Sequence, residues 1–219
     1  MLIGIFMEIK TFYCNPLREC SYVAWDGTLE CVVIDPGFYG ERELQRLRAF
    51  VAEKGLKPVK ILLTHGHFDH VLGLEDVAQE WKLDAWMHPA DQEQIVRSGQ
   101  WCAQLGLAFH PFTGTWHDLS DGEAVTFGHT SLKVILTPGH TEGGVCFLCE
   151  EAGVVFTGDT LFAGSIGRTD HPGGDYDRLM DSLHRKLLPL DGNTTVLPGH
   201  GPATSIGYER GTNPFLQSM

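Results

Sequence analysis

The hexapeptide His65-Gly66-His67-Phe68-Asp69-His70 places three imidazoles and one carboxylate within six residues. It follows the apolar run ILLT (61–64), which predicts a short buried strand, so the hexapeptide begins where a strand ends. A loop that holds His65 and His67 can present two nitrogens to one ion. Asp69 and His70 lie at a predicted helix start and can face a second ion. Because such a cluster destabilises a fold unless it binds something, this stretch predicts a metal site.

Three further predicted strands end in the same way, with an apolar run followed by histidine or aspartate. VILTPG runs into His140, VVFTG runs into Asp159, and TVLPG runs into His200. Sites in layered α/β folds assemble at strand ends and in the loops after them, so we expect these side chains to converge. The alternative is a solvated histidine-rich loop, and the three downstream strand ends favour the metal site.

The predicted ligand set contains five histidines and two aspartates and no cysteine, which suits Zn²⁺, Fe or Mn²⁺ rather than a metal that prefers thiolates. Two divalent ions would bring four positive charges to a chain of formal net charge −12. They would create a local site that attracts anions. The set is His65, His67, Asp69, His70, His140, Asp159 and His200.

The predicted strands fall into two blocks, each followed by helices. One helix is predicted over Glu41–Lys54, with Gly55 as its stop signal, and others over about 71–81, 89–105 and 176–187. Residues 107–119 are predicted to be irregular. Two sheets with helices outside them form an α/β, four-layer αββα sandwich. Since no Pro-, Ser- or Gly-rich linker divides the chain, residues 1–219 are predicted to form one domain.

Charge and hydropathy exclude several partner classes. A net charge of −12 disfavours nucleic acid, and the absence of any Lys/Arg run disfavours a membrane surface. Residues 1–7, MLIGIFM, are too few for a membrane span and include no basic residue. They predict either the start of a strand or an upstream extension with Met7 as the natural start. The expected location is cytoplasmic.

Six cysteines permit disulfides, but a chain of this size without a signal peptide favours free thiols. Cys146 and Cys149 form a C-x-x-C within VCFLC, which predicts a strand. Positions three apart on a strand point to opposite faces, so this pair is predicted not to hold a metal.

The motifs together resemble the metallo-β-lactamase superfamily, and most closely its glyoxalase II-like (hydroxyacylglutathione hydrolase) group. They are H-x-H-x-D-H (65–70), TPGHT (137–141), FTGDTLF (156–162), GRTD (167–170) and PGHGP (198–202). The resemblance extends over about residues 7–216. It implies that one metal is held by His65, His67 and His140, and a second by Asp69, His70 and His200. It also implies that Asp159 bridges the two.

The resemblance implies hydrolysis by a water that the metals activate, with Asp69 and Asp159 as the catalytic carboxylates that orient the metals and take up the proton. A thiolate leaves readily because a thiol has a pKa of about 8.5, which favours a small-molecule thioester as substrate. The resemblance to the glyoxalase II-like group implies that this thioester is S-(2-hydroxyacyl)glutathione. Full-length members hold glutathione through a basic C-terminal helical extension, whereas Arg210 is the only basic residue after His200 here. The chain therefore resembles the short bacterial branch.

The same residues leave three alternatives to this hydrolase. A persulfide dioxygenase branch of the same superfamily is also similar, and it would use one iron held by His65, His140 and Asp159. A non-enzymatic protein that keeps the fold is disfavoured because all seven ligands are present. β-Lactam hydrolysis is disfavoured by the lack of an export signal. The sequence leaves the oligomeric state open.

Other polar and aromatic residues receive weaker assignments. The GRTD residues Arg168, Thr169 and Asp170 are interpreted equally as support for the ligands or as a surface salt bridge. A Gly-rich loop bordering the pocket is predicted for His171, Asp175 and Tyr176. Core packing or an exposed cover loop is preferred to pocket lining for Trp101, Phe109, Phe112 and Trp116. Ordinary packed or exposed roles are predicted for His88, His110, His117, His129 and His184.

Overall fold

The computed structural model describes residues 7–217 and contains two six-stranded sheets and one small hairpin. The strands of the first sheet follow one another in sequence order: β1 (Glu8–Cys14), β2 (Glu19–Trp25), β3 (Glu30–Ile34), β4 (Lys57–Leu62), β5 (Ala85–Met87) and β6 (Trp116–Asp118). This sheet is antiparallel from β1 to β3 and parallel from β3 to β6.

The second sheet has the order β14-β13-β10-β9-β8-β7, and only the β10–β13 pair is parallel. An antiparallel hairpin, β11 and β12, lies between β10 and β13 in sequence and was not predicted. The strands are β7 (Ala124–Phe127), β8 (Thr130–Leu136), β9 (Val145–Cys149), β10 (Val154–Gly158), β11 (Leu161–Phe162), β12 (Ser165–Ile166), β13 (Thr195–Pro198) and β14 (Thr204–Ser205).

Six α-helices flank the sheets in the described part of the chain. The first has the predicted bounds, because Leu44, Leu47 and Val51 form its buried face and Gly55 ends it at a φ of 67°. The helices are α1 (Glu41–Lys54), α2 (Phe68–Val71), α3 (Leu74–Trp81), α4 (Gln92–Leu105), α5 (Tyr176–Ser182) and α6 (Ile206–Thr212). A 3-10 turn at Pro89–Asp91 precedes α4, and a π-helical turn at Leu183–Leu187 continues α5.

The two sheets pack face to face, with the helices on their outer faces, which gives the αββα order of layers. In β3, Val32 and Ile34 join the cluster between the sheets, which also contains Phe147 and Phe156 of the second sheet. The alternate residue Val33 joins the outer cluster with α1 and α3, as expected from the period of two along a strand. A third cluster packs α5 and α6 against the outer face of the second sheet. The predicted four-layer sandwich is therefore confirmed.

Two predicted elements are wrong. The helix expected over 71–81 begins only at Leu74, because Gly73 separates it from the short helix α2, which ends at Val71. A Cβ on Gly73 would lie 2.7 Å from the Phe38 carbonyl oxygen, and its N–H donates to Pro36, so the chain turns tightly there. Residues 107–119 are not wholly irregular, since β6 pairs in parallel with β5. Three residues are too few to show the alternation of apolar and polar residues that marks a strand. This segment is a strand because it pairs with β5.

All six cysteines carry free thiols, as the sequence predicted, and all six are buried. Cys146 belongs to the outer cluster of the second sheet and Cys149 to the cluster between the sheets, so they point to opposite faces. The expectation for residues 1–7 falls almost wholly outside the described residues, since β1 begins at Glu8. Within residues 7–217, no helix combines the length and apolar character needed to cross a bilayer.

Candidate metal centre

The four strand ends singled out in the sequence meet at one edge of the sandwich. The backbone N–H of Val145 donates to Thr64 at 2.8 Å, which joins the first sheet to the second beside His65. The N–H of Gly199 donates to Gly158 at 2.7 Å, which holds the ends of β13 and β10 together. Asp159 follows Gly158 and His200 follows Gly199, so these two side chains lie close together.

A first donor group contains His65, His67 and His140, whose ligand atoms lie within 4.8 Å of one another. The Nδ1 atom of His67 is 2.8 Å from Nε2 of His140. The ring of His65 lies 4.9 Å from that of His140. The loop after β4 and the loop after β8 therefore supply three imidazoles that face one point.

A second donor group contains Asp69, His70 and His200, again with ligand atoms within 4.8 Å of one another. The Nε2 atom of His200 is 3.1 Å from Oδ2 of Asp69. The Nε2 atom of His70 is 3.9 Å from the same oxygen. Asp69 and His70 both belong to α2, so the short helix presents them together to the loop after β13.

Asp159 lies between the two groups and approaches both. Its Oδ2 is 3.6 Å from Nε2 of His140 and 3.8 Å from Nε2 of His200. Its Oδ1 is 3.4 Å from Nε2 of His70. All seven residues predicted from the sequence are thus brought together, with one carboxylate between two sets of three.

Three atoms at this centre are buried and have no hydrogen-bond partner in residues 7–217: Nε2 of His65, Nε2 of His70 and Oδ1 of Asp159. Buried polar atoms are costly unless they are satisfied, so their convergence indicates a missing partner. Imidazole nitrogens and carboxylate oxygens are suitable ligands for Zn²⁺, Fe or Mn²⁺. The residues present therefore fit a pair of divalent cations.

The histidines of the first group have lowered pKa values, which favours the neutral form of each ring. Burial lowers the pKa of His65 well below its ordinary value and that of His67 to about 3. The pKa of His140 is also lowered, again chiefly by burial. These rings are neutral near pH 7, which is the form that binds metal. Burial opposes ionisation of Asp159, but His70, His140 and His200 together outweigh it and lower the pKa of that carboxyl.

Asp35 supports His70 from behind and was missed in the sequence analysis. Its Oδ2 lies 3.0 Å from Nδ1 of His70, and it accepts hydrogen bonds from the backbone N–H and the hydroxyl of Thr64. Both carboxylate oxygens are therefore occupied, so Asp35 orients a ligand rather than acting as one. It adopts a φ of 49°, which few residues other than glycine tolerate. The same strand-end signal precedes it, since CVVI runs into Asp35.

Glu19 is a second acidic residue that sequence reasoning missed. It is fully buried, its Oε2 accepts from the Ser21 hydroxyl at 2.9 Å, and its Oε1 lies 3.8 Å from Nδ1 of His70. Burial raises its pKa well above the ordinary value. Its backbone also forms a bridge with His200. No strand-end pattern marks Glu19, because it opens β2 and reaches the centre only through sheet pairing.

Both interpretations of the GRTD stretch are present in the structure. The carbonyl of Arg168 lies 2.8 Å from Nδ1 of His140 and so directs the opposite ring nitrogen toward the centre. The Arg168 side chain forms an exposed ion pair with Asp170. His171 also borders the centre, since its ring lies 4.7 Å from that of His67. Asp175 instead caps α5, and Tyr176 is exposed.

The remaining histidines and aromatics fall mostly where expected. His110 and His117 lie at hydrogen-bonding distance from Asp76 and Asp84, outside the seven-residue set. The aromatic residues Phe109, Phe112 and Trp116 pack against the outer core. Trp101 differs from the preferred interpretation, because it lines a cavity of about 560 Å³ that opens over the metal centre. That cavity also includes His67, Asp159 and His200 in its wall.

The sequence model of the metallo-beta-lactamase superfamily matches residues 16–200 of the chain. The chain belongs to this superfamily. Its fold binds divalent metals, in agreement with the His/Asp clusters described above. Among its relatives, the chain is similar to a probable metallo-hydrolase, YqgX, of Bacillus subtilis. The two are 36% identical, over 97% of this chain and 99% of that protein.

The chain is also similar to hydroxyacylglutathione hydrolase GloC of Haemophilus influenzae, at 38% identity over 92% of this chain and 93% of that protein. Two solved structures resemble it with a TM-score of 0.85. One is TTHA1623 in a di-iron-bound form, 40% identical over 94% of this chain and 100% of that chain. The other is the BLEG-1 B3 metallo-beta-lactamase, 34% identical over 96% and 100%.

Proposed function

We propose that this superfamily member hydrolyses a small acyl thioester, with S-(2-hydroxyacyl)glutathione as the first candidate, and that it uses two divalent ions, Zn²⁺ foremost. One observation supports the proposal most directly. Asp159 lies between two groups of three donors, with 3.4 Å from its Oδ1 to His70 and 3.6 Å from its Oδ2 to His140. One carboxylate placed in this way can hold two cations close together.

Similarity supports the substrate class. GloC is named a hydroxyacylglutathione hydrolase, and 93% of its length aligns with this chain at 38% identity. A relative with that name is thus matched nearly end to end.

When bound, the ions would polarise the thioester carbonyl and lower the pKa of a water molecule. The protein's own residues then hold and move the proton. Burial opposes ionisation of Asp69 and Asp159, but the neighbouring histidines, His70 and His200 among them, together outweigh it and lower the pKa of both carboxyls. Both are therefore ionised near pH 7 and can accept the proton that the attacking water loses.

Bond changes in this reaction need no side-chain nucleophile. A C–O bond forms between water and the acyl carbon, and the C–S bond breaks. The sulfur leaves as a thiolate, which is stable because thiols have a pKa of about 8.5. An amide nitrogen would need a proton from an acid. The products are a carboxylate and a thiol, so a thioester matches the groups present at this centre.

The test is hydrolysis of S-lactoylglutathione and other thioesters by the metal-loaded protein under anaerobic conditions. We expect release of free thiol, and we expect Asp159→Asn to lower kcat by at least about 100-fold, as for loss of an essential proton acceptor. Asp118→Asn is the control, because Asp118 is exposed on β6 and contacts only Gln92 among the bonds described. Absence of thiol release from every thioester would overturn the proposal.

The same set of assays also tests two other activities. β-Lactam hydrolysis is favoured by the similarity to the BLEG-1 B3 metallo-beta-lactamase. Persulfide oxidation at a single iron would consume O₂ with glutathione persulfide and leave thioesters intact. Turnover of a β-lactam or of the persulfide, without thioester cleavage, would replace the proposed function by that activity.

A further inference from the structure

Building on the proposed thioesterase function, we propose that α4 selects the substrate. In this proposal Arg97 binds a carboxylate that lies close to the thioester group. The apolar side chains of Trp101, Leu105 and Leu17 hold an apolar chain on the other side of that group. The substrate class is therefore an amphipathic thioester with an acidic end and an apolar end, which is a different small acyl thioester from S-(2-hydroxyacyl)glutathione, whose two halves are both polar.

The first half of α4 is anchored beside the histidine loop. The Ser98 hydroxyl is buried and donates to the Gly66 carbonyl at 2.7 Å. Asp91, just before the helix, accepts from the Gly66 N–H at 2.9 Å. A Cβ on Gly66 would lie 3.0 Å from Cβ of Gln94, so helix and loop are in direct contact. Residues near Ser98 are therefore level with the metal centre.

Arg97 immediately precedes Ser98 and lines the same cavity as His67 and Asp159. Its side chain is 36% exposed, and the one hydrogen bond found for it in the described chain runs from Nη2 to Glu93, at 2.7 Å. A guanidinium has five N–H groups in a planar fork, so several remain available to a ligand. Two arginines, Arg97 and Arg168, line this cavity in a protein of net charge −12, and such cations attract a carboxylate. Arg168 donates two hydrogen bonds to Asp170 whereas Arg97 donates one to Glu93, so Arg97 has more N–H groups available to a ligand.

The second half of α4 continues the cavity wall with apolar side chains. Trp101 is 48% exposed and Leu105 is 55% exposed, and Leu17 beside them is 51% exposed. All three line the cavity. Exposed large apolar side chains that line one concave surface indicate a binding site for apolar groups. Trp101 and Leu105 follow Arg97 by four and eight residues, which places them about 6 and 12 Å further along the helix.

This order along α4 gives the cavity a direction. The charged end lies at the histidine loop, where the thioester must be cleaved, and the apolar end leads away from it. A carboxylate paired with Arg97 is thus within a few bonds of the thioester. It can belong either to a short acyl group or to a short thiol, with the apolar chain on the opposite half. A carboxylate on the acyl half and one on the thiol half would contact Arg97 in the same way. Synthetic thioesters distinguish the two.

The experiment compares kcat/KM for three thioesters. One is the hexanethiol thioester of glutaric acid, with the carboxylate on the acyl half. A second is the hexanoyl thioester of mercaptoacetate, with the carboxylate on the thiol half. The third is the hexanoyl thioester of 2-mercaptoethanol, which is neutral. We expect the protein to prefer one of the two acidic compounds over the neutral one, and the preferred compound identifies the half that Arg97 binds.

Arg97→Gln is expected to lower kcat/KM for the preferred acidic thioester by about 10- to 100-fold and to leave the neutral one nearly unchanged. Arg97→Lys should recover part of the loss. The matched control is Arg185→Gln, because Arg185 forms an i,i+4 ion pair with Asp181 at 2.6 Å, like that of Arg97 with Glu93, but does not line the cavity. An equal loss on acidic and neutral thioesters, or no preference in the unaltered protein, would overturn the proposal.

A binding measurement separates this inference from the proposed function. The thioether analogues of the two acidic compounds cannot be hydrolysed, and the Kd of the tighter-binding analogue is measured by titration calorimetry. We expect the Kd to rise about 10-fold or more in Arg97→Gln. We also expect it to rise in Trp101→Ala but not in Trp101→Phe. If thioesters are not cleaved but these Kd values shift as expected, the proposed function fails and the assignment of α4 stands. If the Kd values do not shift, the assignment of α4 is wrong.

Discussion

The Nδ1 atom of His70 lies 3.0 Å from Oδ2 of Asp35, and both side chains are buried. A carboxylate at this position holds the proton on Nδ1 and leaves Nε2 free to face the centre. Nε2 of His70 is one of the buried atoms without a partner in the described residues. Asp35 thus determines which face of the imidazole is presented to a metal.

We therefore expect Asp35→Asn to weaken metal binding by about 10- to 100-fold, because an amide orients the imidazole less firmly. The measurement is competition with a chromophoric chelator. Asp84→Asn is the matched control, since Asp84 forms a 3.0 Å pair with His117, away from the seven ligands. Equal metal affinity in Asp35→Asn and the unaltered protein would show that Asp35 does not support the centre.

Gly73 separates α2 from α3 and so fixes where Asp69 and His70 lie. A Cβ there would lie 2.7 Å from the Phe38 carbonyl oxygen and 2.9 Å from the Phe38 Cβ. We expect Gly73→Ala to lower the free energy of unfolding by about 1–3 kcal/mol, because the backbone must shift to admit the methyl group. Urea unfolding measures the change. Gly27→Ala is the control, since a Cβ at Gly27 meets nothing within 4 Å, and an equal effect of both variants would contradict the proposed steric cause.

Asp26 provides a pH-dependent prediction outside the metal centre. Burial opposes its ionisation, but hydrogen bonds from Thr28, His129 and Thr130 outweigh that effect and lower its pKa to about 2. A carboxyl whose pKa is lower in the folded state than in the unfolded state stabilises the fold above the unfolded pKa of about 3.9. That stabilisation is lost as the pH falls through the folded value.

The stability difference between the unaltered protein and Asp26→Asn should therefore shrink as the pH falls from about 5 to about 2. The expected decrease is roughly 2 kcal/mol. Urea unfolding of the metal-free proteins at several pH values measures it. Asp177→Asn, at an exposed position of α5, should show a constant difference. A difference for Asp26→Asn that does not vary with pH would mean that the Asp26 carboxyl is not specifically stabilised by these bonds.

The fold and the metal centre could be anticipated because the same local pattern repeats. Four apolar strands run into His65, His140, Asp159 and His200, and strand ends in a sandwich meet at one edge. Asp35 follows the same pattern and could have been found with it. It was missed because Pro36 and Gly37 made the segment resemble an ordinary turn.

Other features depend on contacts that no local pattern records. Glu19 reaches His70 only through the pairing of β2 with its neighbours. The orientation of α4 depends on the contacts of Asp91 and Ser98 with Gly66, so a helical period alone could not place Trp101 in the cavity wall. β6 is three residues long and becomes a strand only because β5 lies beside it.

The central claim is that seven side chains hold two cations with Asp159 between them. Elemental analysis of the purified protein and of Asp159→Ala, both dialysed against metal-free buffer, tests it most directly. We expect about two equivalents of divalent metal in the unaltered protein, with Zn²⁺ foremost, and the loss of at least one equivalent in Asp159→Ala. Two equivalents in both proteins, or no tightly bound metal in the unaltered one, would contradict the claim.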